Sequence, residues 1–185
     1  FLRNVVGRID ARYASRVFRL DSTVLAALFG GDPPSVREWT ATATIGTVME
    51  RQYDSLASWL TDHRHNLARQ GVSRREFLIA RQLARAGATV VRIAMAPPGE
   101  AQANLRDRAM ADNLDFLLDS LYPGKKIVVW AHNEHIRYGP EGDSGVPFLD
   151  ARIDGAWQRV GTWINARRRA ETYSIGLYMH EGRHR

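Results

Sequence analysis

The first two-thirds of the chain alternates stretches of helical apolar periodicity with clusters of glycine and proline. Amphipathic sequence from Asn4 to Phe29 ends at Gly30-Gly31-Asp32-Pro33-Pro34, and a second stretch runs towards Arg69. The second stretch is followed by Gly71, where a C-cap glycine is expected. Its apolar face carries, at helical spacing, Leu56, Trp59, Leu60, His63 and Leu67. Residues 1–121 are therefore predicted to be mainly helical.

Two capping-box patterns mark further helix starts. Ser35 to Glu38 and Ser73 to Glu76 both place a glutamate three residues after a serine, so each side chain can satisfy the other's free backbone N–H. Apolar residues behind the second box recur every three or four positions, which predicts one helix passing through Gly87. The alternative is a strand at 89–93, where β-branched residues are dense. Pro97-Pro98-Gly99 ends the element in either case.

The last third of the chain changes pattern. A helix is predicted from Asn104 to Leu121, and residues 126–131 then form a short continuous apolar run after a turn. Such a run is typical of a strand buried on both faces of a parallel sheet. A helix at 155–168 and a second strand at 173–179 complete a βαβ order, so the two strands are expected to be parallel.

These elements predict an α/β fold that is rich in helix and has a small parallel sheet with at least two strands. Two strands do not make a stable sheet alone, so we expect them to belong to a larger one. Residues 1–185 are interpreted as a single, incomplete domain. Within it, residues 122–185 form the βαβ unit that carries the candidate site.

Composition narrows the classes of function. The chain has 185 residues, 44% of them hydrophobic, and it has no cysteine, which excludes disulfides and thiolate sites. The net charge of +6 suggests nucleic acid as a possible class of partner. The arginines are scattered along the helices, however, and this distribution argues against nucleic-acid binding. There is no signal peptide and no apolar stretch long enough to span a bilayer. We therefore expect a cytoplasmic protein without a membrane partner.

The strongest candidate for chemistry is the pair His132 and His135, directly after the first predicted strand. Ligands bind at the carboxyl ends of strands in open α/β sheets, and imidazole can take a proton from water near neutral pH. Asn133 and Glu134 are candidates for orienting the rings or the substrate. The alternative is that the pair only closes a strand-to-loop turn. A zinc-protease site is not expected, because the spacing is one residue short and follows a strand.

A second group lies at the start of the helix before that strand. Arg106 and Arg108 can clamp a carboxylate or a developing oxyanion, whereas the alternative is a solvated, charged helix turn. Asp107 between them is favoured by the helix dipole in either case. His180 would emerge at the same sheet edge as His132 if the strands are parallel, the alternative being a frayed terminus. His63 is interpreted as a hydrogen-bonded core residue.

Three segments together resemble the erythromycin esterase family: Arg106 to Asn113, Lys126 to His135, and Tyr173 to Leu177. The resemblance implies a bacterial macrolide-resistance type of hydrolase, unrelated to the serine hydrolases. Such an enzyme opens a macrolactone ester by His-assisted attack of water, without a metal, a cofactor or a covalent intermediate. The catalytic residues implied are His132, His135 and Arg108. Substrate-binding or supporting roles fall to Arg106, Asn133, Glu134, Asn113 and His180.

The chain departs from the family at one point. The family's Gly-Glu-x-(Ser/Thr)-His-Gly segment, which supplies a further histidine, does not occur in this sequence. We therefore expect the full-length parent to be the ester hydrolase, with an N-terminal half and a small-molecule ester as partners of this chain. Alone, the chain is expected to have weak or no activity. The alternative is a non-catalytic small-molecule-binding domain of the same fold.

Overall fold

The computed structural model describes residues 1–29, 43–136 and 158–176. The chain divides into two compact units. Unit 1 comprises Phe1–Pro97 and Asp115–Lys125, and unit 2 comprises Pro98–Leu114 and Lys126–Arg185. Every regular element in the described ranges is helical. None of the helices found there is both long enough and apolar enough to cross a membrane.

Unit 1 begins with α1 (Leu2–Val6), α2 (Ala11–Phe29), α3 (Ala43–Asp62), α4 (Arg64–Arg69) and α5 (Arg74–Met95). Helix α6 (Glu100–Phe116) continues into a π-helical turn, Leu117–Leu121. The described residues beyond this turn include the short helices α7 (Asn133–Ile136) and α8 (Val160–Arg168), and a 3-10 turn at Arg169–Glu171 follows α8.

The core of unit 1 is built on the antiparallel pair α3 and α5. Gly46 lies against Met95 near one end, and Tyr53 lies against Gly87 further along, so the two helices run in opposite directions. The predicted apolar face of α3 and α4 is confirmed. Its buried members are Leu56, Leu60 and Leu67. The His63 prediction is also confirmed: its ring is half-buried, stacks on Trp59 with centroids 4.3 Å apart, and hydrogen-bonds the Trp59 carbonyl.

The sequence signals for α5 are confirmed by its geometry. The Ser73 side chain accepts from the Glu76 N–H, and the Glu76 carboxylate accepts from the Ser73 N–H at 2.8 Å. Gly71, just before this cap, has a φ of +79°, which favours glycine. The helix runs unbroken through Gly87, so the alternative strand at 89–93 is wrong. Apolar positions at three- and four-residue spacing outweigh the β-branched composition there.

The predicted α/β class is wrong for the part of the chain that the structure describes. Residues 126–131 and the described part of the second predicted strand, 173–176, are extended single segments without sheet partners. Val128 is 90% exposed, Trp130 88% and Tyr173 88%, so neither segment is buried on both faces. A strand needs a neighbour for its backbone hydrogen bonds, and two short runs do not form a sheet by themselves. The βαβ unit of 122–185 is therefore absent from the described residues.

Several helix boundaries also differ from prediction. The helix predicted from Asn4 to Phe29 is interrupted at residues 7–10, because Asp10 accepts from the Tyr13 N–H at 2.7 Å and starts α2 afresh. The helix predicted at 104–121 starts earlier, at Glu100, and its last turn is π-helical. The Ser35–Glu38 box and all of residues 137–157 lie outside the described residues.

Replacing Gly87 with alanine should destabilise the protein. A Cβ there would lie 2.5 Å from the Tyr53 Cε1 atom, and the Tyr53 hydroxyl is anchored on Asp21 at 2.7 Å. We expect a loss of about 1–3 kcal/mol from overpacking, against about 1 kcal/mol gained from helix propensity. Chemical denaturation measures the difference. In a Tyr53→Ala background the same Gly87→Ala change should become stabilising, and no reversal of sign would contradict the packing argument.

The capping box at Ser73 should make stability depend on pH. The hydrogen bond from the Ser73 hydroxyl, then that from its backbone N–H, and the nearby Arg8 lower the pKa of Glu76. A carboxyl whose pKa is depressed on folding stabilises the folded state above its unfolded pKa, and this contribution is lost as pH falls through the folded pKa. The advantage of the wild type over Glu76→Gln should thus be present at neutral pH and fade below about pH 4. Denaturation of both proteins across this range measures it; a pH-independent difference would refute the ionic origin.

Candidate active site

One face of α6 forms the base of the candidate site and docks the start of α8. Asn104 lies at its polar end, where its side-chain oxygen accepts from the Gln158 N–H at 2.8 Å. Two turns further along, Ala111 is fully buried against Val160 and Ile164 in the small apolar core of unit 2. Asp107 stands between these two contacts on the same face. The helix therefore presents a carboxylate at the boundary between a polar and an apolar contact.

Asp107 is fully buried and has three partners. Its Oδ1 atom lies 2.7 Å from Nδ1 of His135, and its Oδ2 atom lies 3.5 Å from Nη1 of Arg159 and 3.4 Å from Nη2 of Arg106. The Arg159 side chain is itself buried, whereas that of Arg106 is half exposed. A carboxylate without access to water must be compensated by charge and hydrogen bonds, and these three side chains provide both.

The backbone around α7 fixes where the His135 ring lies. The His135 N–H donates to the carbonyl of His132 at 2.9 Å, which closes a single helical turn straight after the extended segment. The Ser174 hydroxyl donates to the carbonyl of Ile136 at 3.2 Å. The ring is thus held at Nδ1 by Asp107, and 27% of its side chain stays exposed. When Nδ1 donates to a carboxylate, the neutral ring keeps Nε2 as a proton acceptor.

The structure brings some of the predicted site residues together. His135 and Arg106 meet at Asp107, whereas His132 is exposed and contributes its carbonyl to the turn. Asn133 and Asn113 are half-buried. The side chain of Glu134, and His180 altogether, lie outside the described residues.

Arg108 is held elsewhere on unit 2. Its guanidinium carbon lies 5.3 Å from the centre of the Trp163 ring, and its Nε lies 4.0 Å from Asp112 one turn along α6. Asp112 also pairs with Arg167 at 2.7 Å, and Arg167 lies over the same ring. This cluster ties the exposed sides of α6 and α8 together at a different set of side chains from the Asp107 cluster.

Sequence reasoning missed two members of the cluster. Asp107 was interpreted only as a dipole-favoured helix residue, although it shares the face of Leu114, and a carboxylate on an apolar face is the signal that could have found it. Arg159 carried no local signal, because it is 52 residues away from its partner in sequence. Among the described residues, no group of three or more histidine, aspartate or glutamate side chains is arranged to hold a metal ion.

A buried carboxylate that orients a partly exposed imidazole is an arrangement that suits general-base chemistry. The erythromycin esterase family model matches residues 2–185, so the chain belongs to the erythromycin esterase family. It is 33% identical over 78 residues to YbfO of Bacillus subtilis (strain 168), a hydrolase by name; the match covers 42% of this chain and 16% of YbfO. No solved structure matches the chain. Family and relative together support a hydrolase-like function.

Because Asp107 is buried and Asp112 is exposed, the ion pairs of these two α6 residues should contribute very differently to the free energy of unfolding. Asp107→Asn removes one partner of the buried Asp107–Arg159 ion pair, which should cost about 3 kcal/mol or more in the free energy of unfolding. Asp112→Asn removes an exposed pair with Arg167 and should cost about 1 kcal/mol or less. Denaturation of the two variants side by side makes the comparison. Equal losses would mean that the Asp107 cluster is not closed to water.

Proposed function

We propose that this chain carries part of the hydrolytic site of an ester hydrolase in which His135 acts as the general base. The observation that supports this role is the 2.7 Å contact between the His135 Nδ1 and the buried Asp107 carboxylate. The carboxylate fixes the ring orientation and its tautomer, which leaves Nε2 as the atom to take a proton from water. The attack is direct and needs neither a metal nor a covalent intermediate.

We propose that Arg106 stabilises the negative charge that develops on the substrate carbonyl oxygen in the transition state. It lies beside Asp107 and its side chain is 49% exposed, so part of its guanidinium is accessible to a substrate carbonyl. Placing cationic donors where charge develops in the transition state is often the largest part of catalysis. Arg108, for which the resemblance implies a catalytic role, remains a second candidate, although its guanidinium lies over the Trp163 ring.

The remaining residues are given supporting roles. His132 and Asn133 flank the turn that places His135 and are proposed to contact the substrate, as are Glu134, Asn113 and His180. The substrate class proposed is a small-molecule ester, macrolactone-like on the strength of the family name. The chain spans only a small part of the length of YbfO, so the activity of the whole protein is part of this proposal and includes an N-terminal half.

Hydrolysis of a macrolide and of a simple aryl ester by the full-length parent tests the proposal. Loss of a general base typically lowers the rate by about a hundredfold or more, so His135→Gln should show at least this loss with little change in KM. The reaction should be insensitive to a chelator. Ring opening of the macrolide is detected by mass spectrometry, because the hydrolysed product is heavier by one water.

His65→Gln is the matched control, because His65 is an exposed histidine of unit 1 that accepts a hydrogen bond from its neighbour Arg64. It should keep wild-type rates. Equal rates for the wild type and His135→Gln would refute the assigned base. Binding of the macrolide without turnover, by this chain and by the full-length parent, would instead support the non-catalytic alternative.

A further inference from the structure

We infer that Arg159 is a positioning residue that keeps His135 electrically neutral, and so able to act as a base, by serving as the permanent counter-ion of Asp107. This inference rests on the proposed function of His135. The juxtaposition that carries it is a buried guanidinium and a partly exposed imidazole on the two oxygens of one fully buried carboxylate. No local feature of the sequence connects these three residues.

The charges around the carboxylate decide which partner compensates it. Among the described residues, the charged side chains that contact Asp107 are Arg106 on the same helix and Arg159 at the start of α8. Arg106 is half exposed, so solvent screens its charge. Arg159 is only 6% exposed, so solvent screens its charge much less than that of Arg106.

A buried carboxylate without a fixed counter-ion takes a proton or forces a neighbour to carry the charge. Within the described ranges, His135 is the imidazole in direct contact with the carboxylate, at 2.7 Å. Without Arg159, Asp107 would therefore draw a proton onto the imidazole and hold it as an imidazolium, which has no lone pair for water. With Arg159 in place, Asp107 is already compensated, and the ring can donate from Nδ1 while remaining neutral.

The position of Arg159 is itself fixed by backbone contacts. Its carbonyl accepts from the Trp163 N–H at 3.2 Å, so it stands at the first turn of α8. The preceding residue, Gln158, is held on Asn104 of α6 at 2.8 Å. Asn104 and Asp107 are one helical turn apart, so the chain before α8 is clamped to α6 at two adjacent points. The packing of α8 on α6 therefore places the Arg159 guanidinium beside Asp107.

The test is the protonation of His135 in variants that differ only in charge at position 159. Heteronuclear NMR of the imidazole nitrogens reports it directly, with the His135 signals assigned by their loss in His135→Gln. In the wild type at neutral pH we expect a neutral ring with its proton on Nδ1. In Arg159→Gln, which keeps a donor but no charge, we expect both ring nitrogens to be protonated. Arg159→Lys should restore the neutral ring.

Arg167→Gln is the control, since it removes an arginine from the same helix whose partner, Asp112, is exposed. It should leave the His135 spectrum unchanged. A neutral His135 ring in folded Arg159→Gln, with its proton on either nitrogen, would overturn the inference. Where Arg159→Gln does not fold, Arg159→Lys alone decides: an imidazolium in that variant would overturn it as well, and a neutral ring would support it.

Hydrolysis provides a second and separable readout. The acid limb of the activity profile of Arg159→Gln should move to higher pH, so that activity on that limb falls about tenfold for each unit of the shift and is restored under alkaline conditions. A uniform loss at all pH values would contradict the charge role. If no protein hydrolyses an ester but the NMR change is seen, the proposed function fails and the role of Arg159 stands.

Discussion

The structure of unit 2 depends on the compensation of one buried negative charge. Asp107 has no access to water, yet it lies on the face of α6 that packs against α8. Taking a carboxylate out of water costs several kcal/mol unless charge and hydrogen bonds replace the solvent. Meeting this cost requires Arg159 from one helix and His135 from another to converge on two oxygen atoms. The same requirement that holds α6, α7 and α8 together therefore also orients the imidazole.

The Asp107 side chain therefore matters both for the packing of unit 2 and for the proposed chemistry of His135. A purely apolar residue at position 107 would continue the contact that Ala111 and Leu114 make with α8, but it would leave the imidazole without an anchor. The Arg108–Trp163–Arg167 cluster on the outer side of the same helices shows the contrast. Its charges are partly exposed and screened, so it can add to docking without fixing the protonation of any neighbour.

Features that a few neighbouring residues determine could be predicted from the sequence. The Ser73–Glu76 cap, Gly71 and the continuous helix through Gly87 depend on spacings of three or four residues, and all three are confirmed. The strands were predicted wrongly because a short apolar run indicates burial but does not show which other segment would pair with it in a sheet. Residues 126–131 have the composition of a strand, but no described segment pairs with them.

The candidate site could be predicted only in part, for the same physical reason. His135 stood out because imidazoles are rare and chemically capable, whereas its anchor lies 28 residues earlier in the chain and the counter-ion of that anchor lies 52 residues later than Asp107. No period or motif encodes a pairing over such distances. Burial of a carboxylate is a tertiary property, and it becomes visible only when α6 and α8 are packed.

The exposed extended segment at 126–131 affects the tendency of the protein to self-associate. An unpaired backbone that displays Val128 and Trp130 to water is a template for intermolecular association, and Tyr173 and Ile175 add a second apolar stretch of the same kind. Lys125 lies immediately before the first segment and Lys126 is its first residue, and both are exposed. Charges in such positions oppose the stacking of identical chains. The positive net charge of the whole chain acts in the same direction.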